Sequence, residues 1–263
     1  MLENIFIILG VIFIYITFGF FLSIMLKRND VTDVMWGPGI LLAALTSYII
    51  SEENNILTLF IISLWAVRIF MHIGIRFLNK KEEDFRYKSW RVTWKYFYMR
   101  SFFQVFLLQG FLMFMVASSS VYFNLNNLKA SGFLFLAFSV LAITSMLYEA
   151  VADLQLKKFI KENKNNTDKN TILTSGLWKY SRHPNYFGEV SFWWCIFLSL
   201  IFANSSNPFS ILTFSILLIS PLTITYLILY VSGIPMLEKK YEDNKDFERY
   251  KSATPAFFPN FFL

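Results

Sequence analysis

Apolar residues run along the chain in blocks of up to about twenty, separated by short polar stretches. Seven blocks can be drawn, at about 4–26, 34–50, 56–77, 101–121, 131–153, 184–203 and 209–232. Roughly 20 apolar residues in a helix span the hydrocarbon core of a bilayer. The pattern predicts an all-α, polytopic membrane protein of about seven transmembrane helices, built as a single integral-membrane domain over residues 1–263. The second block is short. The first has neither a basic leading region nor a small-residue cleavage site, which predicts a span and not a removable signal.

The charges set an orientation. Of the 24 Lys and Arg residues, all but Arg68 and Lys129 fall near or within alternate loops, around 27–33, 76–100, 152–185 and 233–263. The opposite loops, 51–55, 122–130 and 204–207, hold Lys129 alone. By the positive-inside rule the N-terminus is outside and the C-terminus cytoplasmic, in a bacterial inner membrane or the endoplasmic reticulum.

A few ionisable side chains interrupt the blocks. Arg68, His72 and Arg76 recur at a spacing of four, one stripe of the third predicted span. Groups of this kind inside a membrane need a partner and often mark a site. A cofactor- or substrate-facing stripe and a structural ion pair both fit. Glu149, Asp153 and Lys157 form a second stripe, and Glu149 is a natural partner for Arg68 should the third and fifth spans touch. Asp30 and Asp33 precede the second block, where the helix dipole accounts for Asp30. Residues 80–100 mix charges with aromatics and predict an interfacial helix, with Glu83-Asp84-Phe85-Arg86-Tyr87 set apart. Residues 161–170 read as a polar loop, Gly233-Ile234-Pro235 as a helix break, and 236–250 as an amphipathic cytoplasmic segment.

Residues 176–189 are the centre of the pattern: Gly-Leu-Trp-Lys-Tyr-Ser-Arg-His-Pro-Asn-Tyr-Phe-Gly-Glu. Proline suits the first turn of a helix, which predicts a helix from Pro184 with Arg182 and His183 at its mouth. Free N–H groups and two basic side chains there suit an anion, a phosphate or a carboxylate. Asn185 and Glu189 share a face of that helix. A snorkelling basic collar with a buried, paired Glu fits as well.

Composition excludes several classes. The chain is 56% hydrophobic, with 31 Phe, one Cys and two His. Cys195 alone allows no intramolecular disulfide and no thiolate cluster, and His72 and His183 are too few for a multi-histidine di-iron site; no metal is expected. The net charge of +6 lies in loops beside spans and gives no support for nucleic acid. The remaining candidates, Asp33, Arg76, 84–91, Asp153, 176–189 and 238–250, all fall on the predicted cytoplasmic side, as one site at the membrane surface would require.

With these residues in place, the chain resembles the steroid 5α-reductase superfamily, in its uncharacterised, mostly bacterial-type branch, over about 33–259. The resemblance lies in the 176–189 motif, in Ser232-Gly-Ile-Pro-x-Leu-Glu238 and in Thr254-Pro255; sterol C14-reductases carry a similar Arg-His-Pro-Asn-Tyr-Leu-Gly-Asp segment. It implies a seven-span fold, NADPH bound from the cytosol, and reduction of a carbon–carbon double bond in a hydrophobic sterol, isoprenoid or other lipid. Carried over by position, Asp153, Arg182, His183, Asn185, Tyr186, Glu189, Glu238 and Tyr250 would hold the cofactor, its phosphates on Arg182, His183 and Arg76 or Arg86. Tyr186 or His72 would supply the proton. Where the steroid enzymes hold an enone oxygen with a Glu and a Tyr, this chain offers Asp30 or Asp33 and Trp65, a departure from 3-oxo-steroid substrates. The isoprenylcysteine carboxyl methyltransferases of the same superfamily use a related Arg-His-Pro segment for S-adenosylmethionine, the alternative reading. A non-catalytic lipid-binding or scaffold protein is the third.

Overall fold

The computed structural model describes residues 1–52, 55–80, 82–163, 172–203, 210–241 and 243–261. Most of the polar loop expected at 161–170, and the outer loop at 204–207, lie outside the described residues. The chain runs through α1 (Leu2–Leu26), α2 (Val31–Val34), α3 (Trp36–Ile50), α4 (Ile56–Asn79), α5 (Phe85–Thr93), α6 (Phe97–Ser101), α7 (Leu108–Leu125), α8 (Phe133–Glu162), α9 (Pro184–Ile201), α10 (Ile211–Tyr226), α11 (Ile234–Glu238) and α12 (Lys245–Ala253). Among the described residues there is no strand.

Five helical runs are long and apolar enough to cross a membrane: Leu2–Leu26, Ile56–Asn79, Phe97–Leu125, Phe133–Glu162 and Ile211–Glu238. This is a membrane protein. α3 is apolar but only 15 residues long. Several runs exceed their apolar blocks, two of them for plain local reasons. α8 continues past Asp153 because Leu154, Gln155, Lys157, Lys158 and Lys161 are good helix formers, and Lys158 pairs with Glu162 one turn on at 3.8 Å. α6 joins α7 through a π-helical stretch, Phe102–Leu107, so one run begins near the aromatic loop.

The helices form two compact units, Met1–Phe135 with Leu200–Ser220, and Leu136–Ser199 with Pro221–Leu263. In the first, Ile40, Ala43, Ala44, Ile61, Ile62, Trp65, Met113 and Val116 are wholly buried or nearly so. Gly37 of α3 allows backbone to approach α4, since a Cβ there would lie 2.9 Å from the Ala66 carbonyl oxygen. Asn55 caps α4 by accepting from the Thr58 N–H at 3.2 Å. Phe6, Phe13, Phe18 and Phe21 of α1 point outward, as lipid-facing side chains do. Pro221 lies inside α10 and has no N–H to offer the carbonyl one turn back. Ser119 donates to that Leu217 carbonyl instead, so the backbone acceptor is satisfied.

In the second unit α9 starts at Pro184, as the motif predicts. It lies so close to α8 that a Cβ on Gly188 would sit 2.7 Å from Glu149 Cβ and 2.8 Å from the Glu149 backbone nitrogen. Trp194 of α9 donates to Thr225 of α10 at 3.1 Å. α10 passes through a π-helical stretch, Leu227–Val231, and breaks at Ser232-Gly233 before α11.

Candidate functional site

The loop before α9 is laid onto α8 by side chains of α8 and by its own ring. Gly176, with φ +64, sits against Gln155, whose carbonyl oxygen accepts the Leu177 N–H at 2.9 Å. Trp178 Nε1 donates to the Ala152 carbonyl at 3.1 Å. The C-terminal segment closes over the other side. Arg182 N–H donates to the Pro255 carbonyl at 2.9 Å, Asn260 N–H to that of Tyr180 at 2.8 Å, and Ser181 Oγ to that of Phe257 at 2.9 Å. The buried Tyr250 of α12 donates to the carbonyls of Trp178 and Ser181. Burial pushes the Tyr250 phenol well above its usual range, Arg182 opposing and Glu238 adding to the effect.

This frame buries Arg182 and His183, 7% and 6% exposed. Arg182 donates from Nε to Glu238 Oε1 at 2.9 Å and from Nη2 to Oε2 at 3.3 Å. Its Nη1 donates to the carbonyls of Lys251 and Thr254, at the C-terminal end of α12, where a cation suits the helix dipole. Four of the five guanidinium N–H groups are thereby committed inside the protein. His183 Nε2 lies 2.9 Å from Glu238 Oε1, and its ring stacks on Tyr186 at 5.7 Å. Asn185 Nδ2 donates to Asp153 Oδ1 at 3.2 Å. Three buried polar atoms here have no hydrogen-bond partner among the described residues: His183 Nδ1, Asn185 Oδ1 and the Tyr148 hydroxyl of α8.

The first unit holds its own polar cluster. Asp33 accepts from Arg86 Nη2 at 2.6 Å and from the Tyr87 hydroxyl at 2.8 Å. Asp84 caps α5 and accepts from Arg86 Nε at 2.9 Å. Glu83 accepts from the Asn29 N–H at 2.7 Å and from both Arg91 Nε and Nη2. Burial would raise the Asp84 carboxyl, but the hydrogen bonds and charge of Arg86 outweigh it and hold it below its usual value. Arg86 is correspondingly raised, burial notwithstanding, by Asp33 and Asp84. Tyr87 is pushed far up by burial and by Asp33.

Asp30 stands at the start of α2, as expected, and its side chain has further partners. It makes no capping bond; instead Arg28 forks onto it at 3.0 and 2.8 Å, and it accepts the Asp84 N–H. The same Arg28 donates to the Phe77 and Lys80 carbonyls and closes the C-terminal end of α4.

The residues expected from the sequence therefore fall into groups. Asp153, Arg182, His183, Asn185, Tyr186, Glu238 and Tyr250 come together in the second unit, with Glu189 half-buried one turn further along α9. Asp33 and Arg86 come together in the first. His72 and Arg68 are half-buried on α4 and Arg76 is exposed there; Trp65 is wholly buried. Arg68 belongs to the first unit and Glu149 to the second. Tyr87 belongs to the first cluster, and Gln155, Tyr148 and the Lys251 and Thr254 carbonyls lie around the second, without being site candidates by sequence. Gln155 follows Asp153 by two residues and Tyr87 lies in the segment set apart; backbone carbonyls carry no residue-type signal.

No metal site is formed among the described residues by three or more His, Cys, Asp or Glu. No curated protein and no solved structure matches the chain. The family described as "Protein of unknown function (DUF1295)" matches residues 19–254, nearly the whole length, and the chain belongs to that family.

Proposed function

We propose that the protein is a membrane-embedded, NADPH-dependent reductase of a carbon–carbon double bond in a hydrophobic lipid, as its resemblance to steroid 5α-reductases and sterol C14-reductases implies. One observation carries this reading. Asp153, Arg182, His183, Asn185, Glu238 and Tyr250, spread over nearly a hundred positions, form one polar cluster at the mouth of α9. The residues fit a nucleotide, because a buried imidazole nitrogen and an amide oxygen are left unmatched there. When bound, NADPH supplies a hydride to one carbon of the polarised alkene. The chain's own part is to hold the cofactor, exclude water from the lipid, and deliver a proton to the other carbon. Tyr186, stacked on His183, and His72 on α4 are the candidates for that proton, and Asp33 for orienting a substrate oxygen.

In this reading α3 and α9 are the remaining two spans, making seven, with the N-terminus outside and the site facing the cytoplasm. The charge bias of the loops supports that orientation. Cysteines introduced at 127 and 244 test it: an impermeant reagent added outside should label the first and spare the second.

The methyltransferase reading gains from one observation. Arg182, the expected phosphate ligand, is neutralised by Glu238 and nearly saturated with internal partners. Titration of detergent-purified protein decides between the two. Stabilisation by NADPH, less by NADH and little by S-adenosylmethionine is the expected order; stabilisation by S-adenosylmethionine alone would establish the methyltransferase.

A further inference from the structure

The cluster at the mouth of α9 sets Arg182 and His183 against Glu238, with Asp153 beside them, and two of the groups it leaves unmatched are hydrogen-bond acceptors. Asn185 Nδ2 faces a carboxylate oxygen of Asp153, which only accepts. That fixes the amide orientation and leaves Oδ1 as an acceptor. Glu238 likewise only accepts, so in the neutral imidazole the proton sits on Nε2 and Nδ1 is a bare lone pair. Both atoms are buried and unpartnered among the described residues, and the His183 side chain itself is more than nine-tenths buried. They lie two residues apart where α9 begins. A phosphate presents only acceptors and would set lone pair against lone pair. A ligand rich in hydroxyl and N–H donors would complete the cluster. The third unmatched group, the Tyr148 hydroxyl, belongs to a ring packed edge-on against Phe187 of α9 at 5.8 Å.

We propose that His183 Nδ1 and Asn185 Oδ1 accept hydrogen bonds from the hydroxyl and N–H donors of a nucleoside, so that this cluster recognises the sugar-and-base part of the cofactor and not its phosphates. Arg182 is then a positioning residue: through Glu238 it holds the imidazole with Nδ1 presented. The inference rests on the reading that the site takes a nucleoside-containing cofactor, and it is indifferent to whether that cofactor is NADPH or S-adenosylmethionine.

The test is competition on the full chain in detergent. NADPH binding is measured by fluorescence, and adenosine, reduced nicotinamide riboside and inorganic pyrophosphate are titrated against it. One of the two nucleosides should compete. Asn185→Ala and His183→Phe should each weaken that nucleoside about tenfold, the scale of one lost buried hydrogen bond. His183→Gln, which can keep both a donor for Glu238 and a second acceptor, should recover most of the loss. Pyrophosphate competition should be unchanged in all three. Variants that bind the nucleoside as the wild type does, or that weaken pyrophosphate instead, overturn the proposal. If His183→Phe does not fold, the wild type still decides, because pyrophosphate competing where neither nucleoside does would overturn it. Binding of S-adenosylmethionine in place of NADPH, weakened tenfold by Asn185→Ala, would remove the reductase reading and support this one. Binding of neither cofactor and neither nucleoside would remove both.

Discussion

The two polar clusters both set arginines against carboxylates, and they differ in what they leave over. In the first unit, Arg28, Arg86 and Arg91 meet Asp30, Asp84 and Glu83 over short stretches of chain, Arg86 also reaches Asp33, and the spare donors of Arg28 close the end of α4. In the second unit, Arg182 and Glu238 are matched just as fully, but the neighbours they position are not: among the described residues, His183 Nδ1 and Asn185 Oδ1 face no protein donor. Buried polar groups are rarely left unpaired without a reason. A saturated network holds a fold together, whereas an unsaturated one beside a saturated strut keeps hydrogen-bonding capacity for a ligand. Charge does not separate the two clusters, since carboxylates outnumber arginines in each, and hydrogen-bond accounting ranks the second as the better nucleoside site.

The largest expected effect breaks the strut. Glu238→Ala leaves the buried Arg182 guanidinium without its carboxylate, which typically costs about 3–5 kcal/mol. Thermal unfolding in detergent should show a large drop, and Arg182→Met together with Glu238→Leu should recover much of it without restoring ligand binding. A Glu238→Ala protein as stable as the wild type would mean that the pair is not what holds the loop to the tail.

Next comes the contact that sets α9 on α8. Gly188→Ala places a methyl group 2.7–2.9 Å from Glu149 atoms, two of them backbone, which cannot swing aside. Overpacking of this kind costs about 1–3 kcal/mol. The same substitution should weaken cofactor binding, since Asp153 and Asn185 come from these two helices. Unchanged stability together with lost binding would instead put Gly188 in contact with the ligand.

Much of this second region is legible in the amino-acid sequence. Pro184 marks the start of α9, Gly233-Ile234-Pro235 marks the break, and the resemblance names the residues that gather. What periodicity cannot carry is partner choice. Nothing in the spacing of Arg182 says that its donors go to Glu238, 56 positions away, and to two backbone carbonyls of the tail. The first region is less legible for the same reason. Asp30 has the position of a helix-start carboxylate, but Arg28, two residues before it, turns back onto it while also reaching the end of α4. Tyr87 and Asp33 lie 54 positions apart and meet because α5 folds back beside α2. The 176–189 motif explains itself once α8 is beside it: its last glycine is there for Glu149, and its tryptophan for the Ala152 carbonyl.

A milder perturbation, acid, should act on the first cluster. Arg86 holds Asp84 below its unfolded value of about 3.9, so the stability Asp84 contributes is complete above about pH 4 and is lost as pH falls through the lower native value. Unfolding midpoints measured from about pH 6 down to about pH 3 should decline at the acid end, and Asp84→Asn should flatten that part of the curve. NADPH binding measured above about pH 5 should not follow it, because Asp84 is tied into the saturated network. A cofactor affinity that falls with Asp84→Asn at neutral pH would move the first cluster into the binding site.

The smallest effect on stability is expected at Arg76, and it is the sharpest on the comparison. Arg76 is exposed near the end of α4 and makes no ion pair among the described residues. Surface substitutions of this kind usually stay within about 0.5 kcal/mol, so Arg76→Ala should unfold as the wild type does. The resemblance offers Arg76 or Arg86 for the cofactor phosphates, and Arg86 is already held by Asp33 and Asp84. Arg76, with no carboxylate on its fork among the described residues, is the candidate with the most donors to give. Arg76→Ala should then raise the Kd for NADPH several-fold at low salt and reduce its dependence on ionic strength, because a screened charge contact has been removed. Adenosine and S-adenosylmethionine carry no phosphate and should bind the variant as before. NADPH binding that ignores Arg76 at every salt concentration would remove Arg76 from the expected phosphate ligands and leave that role to the one remaining N–H of Arg182.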